Sequence, residues 1–486
     1  MKPQEEGHGL PKAESSPPWE GEAPDLDQFH HINKDGEPTS VFDYEVLRYF
    51  EECISLFVVG GVPYLYRDGI FQADITGAET RTIIRSLIYP QFVKAATERR
   101  LLDLITADAK FSTTTEEMNS YPPEWICFQN GFYDPVNRKM VPHSPEFRAL
   151  NQIPHEYYPE KEATRGEAIE EWFRFIFDNE DDREMFLQYA GYCMTRDTRQ
   201  QKFLILCGGG GTGKSTLIRL LETVIGLQNI SNVALQNLNQ RFASYDLLGK
   251  LLNSCADLEV SALEDVSILK KLLGEDQIRG EPKGKQATFF RNYAKLIFST
   301  NELPTVKAER TNGFYRRLLI LEMDKKPQRR RPDFFQALER ELPYFIGLCV
   351  QALERMYEGG TLKESSGSRE AVQRLRCESD TVEAFLSDER LITRDKEART
   401  KKKDLYQLYT VFCRASDRQA LKKQSFFKAL RAKGFKEVKS TGIEHFRGVS
   451  ITEGAEKALA DSSGEKFGEL LGDDKGVLAR LLRWHF

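Results

Sequence analysis

Residues 203–226 read FLILCGGGGTGKSTLIRLLETVIG and contain the clearest structural signal in the chain. The first part of this stretch, Phe203–Cys207, is uniformly apolar, as is typical of a strand buried on both faces of a parallel sheet. Its last part, residues 217–226, has the apolar spacing of a helix. Between them lies the motif GxxxxGKS/T, in the strand–loop–helix context that it requires. The stretch therefore predicts an α/β fold with a phosphate-binding loop at the end of a parallel strand.

The loop carries the chemistry of triphosphate binding. Its glycines let successive backbone N–H groups face one point, and the following helix adds the partial positive charge of its N-terminus. Lys214 is expected to reach the β- and γ-phosphates of ATP, and the Ser215 hydroxyl to ligate Mg²⁺. The alternative is a glycine-rich loop with an incidental lysine, but both flanking elements argue against it. The candidate nucleotide-binding residues are Gly208, Gly209, Gly210, Gly211, Thr212, Gly213, Lys214, Ser215 and Thr216.

An acidic residue should follow a neighbouring strand, where it can hold Mg²⁺ or orient the attacking water. The segment KLLNSCADLE, residues 250–259, provides Asp257 as the expected magnesium ligand or water-orienting acid, with Glu259 as a second candidate for the base. In an extended strand, positions 257 and 259 point the same way, so both could face the γ-phosphate. The alternative is that both acids simply begin the next helix.

Two further groups of candidates follow along the chain. Asn301 ends the predicted strand 294–300 and could hold the water or the γ-phosphate, or it could be a turn residue before Pro304. Arg316 and Arg317 precede an apolar strand at Leu318–Leu321. Paired arginines are common at surfaces, but in a ring ATPase one of them could reach the neighbouring subunit's nucleotide.

Composition excludes several classes of protein. Of the 486 residues, 40% are hydrophobic and 29% charged, which excludes a wholly disordered chain, a collagen and a coiled coil. The eight cysteines are scattered without a CxxC pair, which argues against a zinc ribbon or a disulfide framework and favours reduced thiols in a cytoplasmic compartment. The apolar runs are too short for a membrane span, and no signal-peptide pattern follows Met1.

The charges are segregated along the chain. Residues 1–40 carry three lysines, nine acids and six of the twenty prolines, which predicts a disordered acidic leader. Residues 391–450 carry sixteen Lys/Arg against six acids, a net charge of +10 in a chain whose formal charge is −5. Such a patch is typical of a module that binds a polyanion, with a solvated charged face as the alternative.

The remaining sequence predicts an α+β region before the loop and a small module after it. We expect a helix over 41–55, a hairpin over 56–72, helices within 77–106, strands within 124–155 and helical structure over 165–196. Near the C-terminus, helices at 404–416 and 424–433 precede strands at 435–440 and 443–451, which is the winged-helix order. A protein-docking domain is the alternative. The candidate DNA contacts of the module are Lys422, Lys423, Lys428, Arg431 and Lys433.

Taken in order, these motifs resemble superfamily 3 helicases of the phage, plasmid and poxvirus-type primase–helicase branch. The resemblance rests on the loop at 208–216 followed by KLLNSCADLE, LKKLLGEDQIRGEPKGKQATFF, AKLIFSTNELP and NGFYRRLLIL. It implies an AAA+-like ATPase core, a ring that is a homo-hexamer, and action on single-stranded and duplex DNA, and it leaves room for a separate primase or polymerase as a partner. It also implies a channel hairpin from Arg279 to Phe289, whose Lys283 and Lys285 would follow DNA phosphates.

The same resemblance assigns roles to the candidates. Asp257 matches the Walker B acid, Asn301 matches sensor 1, and either Arg316 or Arg317 would be the arginine finger. Because Ala256 stands where some members carry a second acid, the choice of base between Asp257 and Glu259 stays open. No primase domain fits the roughly 160 residues between the leader and the loop, so priming is not carried over.

The sequence therefore predicts a leader at 1–40, an α+β domain at 41–165, the ATPase at 166–376, a winged helix at 377–452 and a helical tail at 453–486. The expected function is that of an ATP-dependent replicative DNA helicase of a virus or mobile element. Two alternatives remain. One is a P-loop ATPase that loads, packages or senses DNA without unwinding it, and the other is a small-molecule kinase.

Overall fold

The structure is a computed structural model, which describes residues 24–160, 166–240, 243–256, 267–274, 276–281, 288–304, 312–328, 331–416, 418–440 and 442–460. These residues form two compact units. The first contains the described residues up to Pro122, together with Cys127–Tyr133 and Met140–Gln152. The second contains Pro123–Ile126, Asp134–Lys139 and the described residues from Ile153 onward.

The first unit is an α+β structure, as predicted. Two strands pair antiparallel, and a second antiparallel sheet has the order β3-β4-β5. Its turns fall at Gly60-Gly61 and at Asp68-Gly69, where all four residues have positive φ, as the turn signals in the sequence indicate. The elements are β1 His30–Ile32, β2 Pro38–Val41, α1 Asp43–Cys53, β3 Leu56–Val59, β4 Val62–Arg67, β5 Ile70–Ala73, α2 Ala78–Ser86 and α3 Ala95–Ala107.

The expected disordered leader requires a correction. Residues 24–40, which its composition assigned to disorder, include a 3₁₀ turn at Leu26–Phe29 and the strands β1 and β2. The physical reason is that Phe29 is only 1% exposed and belongs to the core formed with α1 and α3. His30 is also buried, at 4% exposed, and its ring accepts a hydrogen bond from the Tyr89 N–H at 3.2 Å. Two buried rings anchor this short hairpin, but they hardly change the average composition of forty residues, from which disorder was predicted. Residues 1–23 lie outside the described part of the chain.

The chain then passes through three short strands and two helices. The strands pair in the order β6-β7-β8, as expected around Asn130-Gly131. The helical stretch predicted over 165–196 is two helices, because Asn179 caps the second one by accepting a hydrogen bond from the Asp182 N–H at 2.8 Å. The elements are β6 Ile126–Phe128, β7 Gly131–Asp134, β8 Lys139–Val141, α4 Glu167–Ile176 and α5 Glu180–Cys193.

A five-stranded sheet, parallel throughout, forms the centre of the second unit. Across the sheet the strands lie in the order Ile230–Ser231 (β10), Leu252–Cys255 (β11), Lys295–Thr300 (β14), Phe203–Cys207 (β9) and Leu318–Glu322 (β15). The strand that comes first in sequence therefore lies between the fourth and the fifth. The strands predicted at 203–207, 294–300 and 318–321 are all present, and so is a strand before Asp257 within the segment 250–259. The elements are β9 Phe203–Cys207, α6 Lys214–Ile225, β10 Ile230–Ser231, β11 Leu252–Cys255, α7 Ser267–Leu272, β12 Gln277–Gly280, β13 Thr288–Arg291, β14 Lys295–Thr300, α8 Asn312–Tyr315 and β15 Leu318–Glu322.

Helices and a small sheet complete the described chain. The predicted order of helix, helix and hairpin is confirmed: α13 and α14 precede β18 and β19, and β17 adds to the hairpin in the order β17-β19-β18. Phe385, Tyr409, Phe426 and Phe446 lie in the core beneath them. The elements are α9 Phe334–Arg340, α10 Leu342–Gly359, α11 Ser366–Ser379, α12 Thr381–Leu386, β16 Ile392–Thr393, β17 Arg399–Lys401, α13 Lys402–Ala415, α14 Lys423–Ala432, β18 Lys436–Ser440, β19 Ile443–Arg447, β20 Ser450–Ile451 and α15 Glu453–Ala460.

No helix in the described ranges combines the length and the apolar character that crossing a bilayer needs. Each of the eight cysteines is a free thiol. Of the predicted tail, the structure describes only α15 and not the amphipathic stretch at 476–486.

Candidate nucleotide-binding site

The glycine-rich loop begins where β9 ends, and its first glycine is required by its surroundings. The Met323 N–H donates to the Cys207 carbonyl at 2.7 Å, and the Gly208 N–H donates to the Thr300 carbonyl at 3.2 Å, so the two neighbouring strands hold the start of the loop. A Cβ added at Gly208, whose φ is +154°, would lie 2.0 Å from the Met323 carbonyl oxygen. No side chain fits there, which explains a glycine at this position.

Lys214 lies inside the loop that it is expected to serve. Its side chain is mostly buried, since the residue is 8% exposed, and its ammonium donates to the carbonyls of Gly208 and Gly209, the latter at 3.0 Å. The same ammonium lies 3.3 Å from the Asn301 side-chain oxygen. Two residues that are 87 positions apart in sequence therefore meet at one point, because β14 lies directly beside β9. The loop lysine and the amide at the end of β14 are therefore close enough to act on the same phosphate group.

The hydroxyls of the loop differ in their surroundings. Thr212 is buried, and its Oγ1 donates to the Gly209 carbonyl at 3.1 Å, so this side chain braces the loop. Ser215 is exposed in the first turn of α6, and Thr216 is partly buried beside it. Of the three residues, Ser215 is the most exposed. A serine hydroxyl and a carboxylate are oxygen ligands of the kind that Mg²⁺ prefers, so the residue fits its predicted role.

A cavity of about 790 Å³ adjoins the loop. One wall is formed by residues 211–216, a second by α4, and a third by the segment that leads into α9. Phe175, which is 36% exposed, lines this cavity. Trp172 contributes to the same wall, and a Cβ added at Gly213 would lie 3.7 Å from the Trp172 indole nitrogen. The described lining outside the loop is Ala168, Glu171, Trp172, Phe175, Pro327, Gln328, Arg331, Pro332, Asp333, Phe334, Phe335 and Ala337.

Sequence reasoning missed this cavity. Its volume and its mostly apolar walls suit a nucleotide base and sugar next to a phosphate loop. Trp172 precedes the loop in sequence and Phe334 follows it, and the fold brings their ring centroids to within 5.7 Å of each other. The signal that could have found them is weak, because aromatic residues at helical spacing normally predict core.

The two predicted arginines lie at the opposite edge of the sheet from the loop. β15 pairs with β9 from Leu318 opposite Phe203, so Arg316 and Arg317 stand at the amino end of strands whose carboxyl ends carry the loop. A strand of this length separates those two edges by about 16 Å. Neither arginine is therefore positioned to reach a phosphate on its own chain's loop.

The two arginines also differ from each other. Arg317 is partly buried, and its guanidinium donates to the Gly313 carbonyl at 2.6 Å and to the Gln201 side chain at 3.1 Å. Its own carbonyl accepts from the Phe203 N–H at 2.9 Å. The Arg316 side chain, in contrast, is exposed. Arg317 thus anchors the start of β15, whereas the Arg316 guanidinium is accessible.

Four candidates lie outside the described residues: Asp257, Glu259, Lys283 and Lys285. The structure gives the strands that flank them. β11 ends at Cys255, opposite Phe298 of β14, so the strand before Asp257 ends at the same edge as the loop. β12 and β13 pair antiparallel, as expected on both sides of the lysines. Phe289 is 57% exposed on this hairpin while Phe290 is 5% exposed, so the core position is Phe290.

The basic residues of the C-terminal module are not equivalent. Lys422, Lys423 and Lys428 are exposed, and Arg431 is exposed but pairs with Glu437 at 2.9 Å. Lys433 is not a suitable DNA contact, which corrects the prediction. Its side chain is 8% exposed, and its ammonium lies 2.8 Å from Asp380 and 2.6 Å from Glu383. Both acids belong to the start of α12, so Lys433 joins that helix to the end of α14.

Two family models match separate parts of this chain. Residues 69–178 match a family described as "D5 N terminal like", and residues 206–317 match a "Family of unknown function (DUF5906)". The second match includes the loop, Asn301 and both arginines.

Two curated proteins are similar to parts of this chain. The "Putative helicase L207/L206" of Acanthamoeba polyphaga mimivirus is 26% identical over 227 residues, which are 45% of this chain and 23% of that protein. The chain therefore spans less than a quarter of the viral protein. The "Uncharacterized mitochondrial protein ymf21" of Marchantia polymorpha is 24% identical over 165 residues, 34% of this chain and 84% of that protein.

Solved structures of the NrS-1 C-terminal region are also similar. One has 13% identity and a TM-score of 0.47 and covers 85% of this chain and all (100%) of that one. Another has 15% identity and a TM-score of 0.45, with coverages of 84% and 99%. Scores below 0.5 do not establish a common fold. The D5-like match over residues 69–178 and the similarity to a viral helicase confirm the resemblance to superfamily 3 helicases that the motifs indicate.

Proposed function

We propose that this protein is an ATP-dependent DNA helicase of viral or mobile-element replication that works as a homo-hexameric ring. The main support for the proposal is that the residues expected to bind ATP and the candidate arginine finger lie at opposite edges of the central sheet. Lys214 and Asn301 meet at one edge of the sheet, while Arg316 is exposed at the other. An arginine that cannot reach its own nucleotide can complete the site of a neighbouring copy.

The order of the sheet supports the AAA+-like part of the proposal. In chain order the first strand lies between the fourth and the fifth, so the loop after β9 and Asn301 after β14 share one edge. Ser215 and Asp257 would hold Mg²⁺, which neutralises charge on the phosphates when it is bound. Asp257 or Glu259 would orient the attacking water. We assign the ATPase to 166–376 and a winged helix to 377–452.

Strand displacement on a forked duplex tests this function. The wild-type chain should unwind the fork when ATP and Mg²⁺ are present, and Lys214→Ala should not. ATP hydrolysis that DNA stimulates, without any displacement, would select the rival ATPase that loads, packages or senses DNA. Hydrolysis that DNA does not affect, with phosphate transferred to a small molecule, would select the kinase.

The cavity beside the loop should hold the base of the nucleotide. We expect Phe175→Ala and Trp172→Leu each to raise KM for ATP roughly tenfold with little change in kcat, since the base is held equally before and during reaction. Steady-state hydrolysis measures both constants, and melting temperatures show whether each variant is folded. Tyr158→Ala, which removes an exposed aromatic outside the cavity, is the matched control. Unchanged KM in both folded variants would contradict the assignment of the base.

The C-terminal module should bind DNA through its exposed lysines. We expect the combined change of Lys422, Lys423 and Lys428 to Gln to weaken duplex binding. The plot of the log association constant against log salt concentration should become less steep, its negative slope shrinking in magnitude by about 3. Fluorescence anisotropy at several salt concentrations measures both. Basal ATP hydrolysis should persist, because these residues are far from the loop in sequence and belong to a separate core.

The control for this experiment removes the same charge elsewhere. Lys34, Lys94 and Lys139 are exposed lysines outside the module, and their combined change to Gln should leave the salt slope unchanged. Equal slopes in both triple variants would mean that the basic module is a solvated surface rather than a DNA contact.

A further inference from the structure

A second lysine lies beside the phosphate loop. After β15, the Met323 N–H bonds to the Cys207 carbonyl, and the chain continues past the loop toward Pro327, which lines the cavity. Between these points lie Lys325 and Lys326, both exposed. A Cβ added at Gly209 would lie 3.5 Å from the Lys326 ammonium nitrogen and 3.5 Å from its Cε. The Lys326 side chain is therefore in reach of the loop backbone.

The two neighbouring lysines differ in how their charge is compensated. The Lys325 ammonium is 2.8 Å from Asp178 and 3.4 Å from the Phe177 carbonyl, so it fastens this segment to the end of α4. For Lys326, in contrast, no carboxylate among the described residues lies within 4.0 Å of the ammonium. The sequence gives no sign of this difference, because both residues follow a strand in an ordinary KK pair.

Lys326 lies beside the part of the loop that is expected to hold phosphate. Gly209 and Gly210 are exposed, and the Gly209 carbonyl accepts a hydrogen bond from the Lys214 ammonium. The loop thus has one lysine within it and a second at its outer side. A triphosphate seated on the backbone N–H groups carries about four negative charges. Bound Mg²⁺, the Lys214 ammonium and the partial charge of the helix N-terminus together offset roughly 3.5 of them, so some negative charge remains for a further cation. A second cation within a few ångströms adds a charge-assisted contact.

We propose that Lys326 is a second phosphate-binding lysine, contributed by the same chain as Lys214, which contacts the triphosphate of the bound nucleotide across Gly209. This inference rests on the proposed ATPase function. It goes beyond that function by naming a phosphate contact outside every motif that the sequence carries. The ligand class is a nucleoside triphosphate, and the contact should weaken as phosphates are removed.

The test compares Lys326→Met with Lys325→Met and Lys326→Arg in the full chain. Titration with ATP, ADP and AMP, followed by Trp fluorescence or calorimetry, gives three affinities for each protein. We expect Lys326→Met to lose about tenfold in ATP affinity, less for ADP and little for AMP, and Lys326→Arg to restore most of it. Lys325→Met should lower the melting temperature, because it removes the ion pair with Asp178, and it should leave the affinities for ATP, ADP and AMP unchanged. A purely structural role would lower all three affinities together.

The outcomes separate this inference from the function on which it rests. If wild-type protein binds ATP in a Lys214-dependent manner and folded Lys326→Met binds it equally well, the inference is wrong and the ATPase stands. The inference is equally wrong if Lys326→Met loses AMP affinity as strongly as ATP affinity. If the wild-type chain binds no ATP at all, both the inference and the proposed function are wrong.

Discussion

Lys214→Ala is expected to abolish ATP hydrolysis while leaving the fold intact. The ammonium of Lys214 lies within the loop, bonded to two loop carbonyls and close to Asn301, rather than in an apolar core. Its removal takes away the positive charge that meets the β- and γ-phosphates, without opening a cavity among packed side chains. Phosphate release measured at saturating ATP gives the activity, and circular dichroism and melting temperature report the fold.

The control for this variant is Lys139→Ala, which removes an exposed lysine on β8. It should hydrolyse ATP at the wild-type rate. Turnover by purified Lys214→Ala that matches wild type would mean that the loop does not bind the reacting phosphates, whatever its sequence.

Arg316→Ala is expected to reduce hydrolysis by a factor on the order of 10³, the effect of losing an arginine finger. ATP binding should change little, because an arginine finger stabilises the charge that develops on the phosphates in the transition state rather than the bound nucleotide before reaction. Arg317→Ala provides the matched comparison. It removes the bonds to Gly313 and Gln201, so it should lower the melting temperature more than Arg316→Ala does.

Single-turnover hydrolysis and ATP affinity, measured for both arginine variants, separate the two roles. A large loss of turnover in Arg317→Ala with normal stability, together with normal turnover in Arg316→Ala, would reverse the assignment. Normal turnover in both stable variants would mean that neither arginine acts as a finger.

Much of the site could be predicted from sequence, because its parts follow from one topological fact. In a parallel sheet, residues that follow the strands share an edge, so Lys214 and Asn301 had to meet once β9 and β14 were neighbours. The same rule places the residues before β15 at the other edge. These predictions needed the strands and their direction, and no detail of side-chain packing.

What the sequence could not predict depends on packing between distant segments. The choice of Lys433 for DNA failed because its partners, Asp380 and Glu383, lie some 50 residues earlier and reach it only through the fold. Trp172, Phe334 and Lys326 were missed for the same reason. The hairpin at 30–41 was missed because only two buried rings, Phe29 and His30, anchor it within a stretch of otherwise polar composition.

Each ATP site of the proposed ring is shared between two copies of the chain. The most direct measurement mixes Lys214→Ala with Arg316→Ala at a series of ratios and records ATP hydrolysis, with light scattering or native mass spectrometry to show that mixed rings form. We predict that each variant alone is inactive and that mixtures regain part of the wild-type rate, because some interfaces combine an intact loop with an intact arginine. If mixed rings form and no ratio restores hydrolysis, the shared site is contradicted.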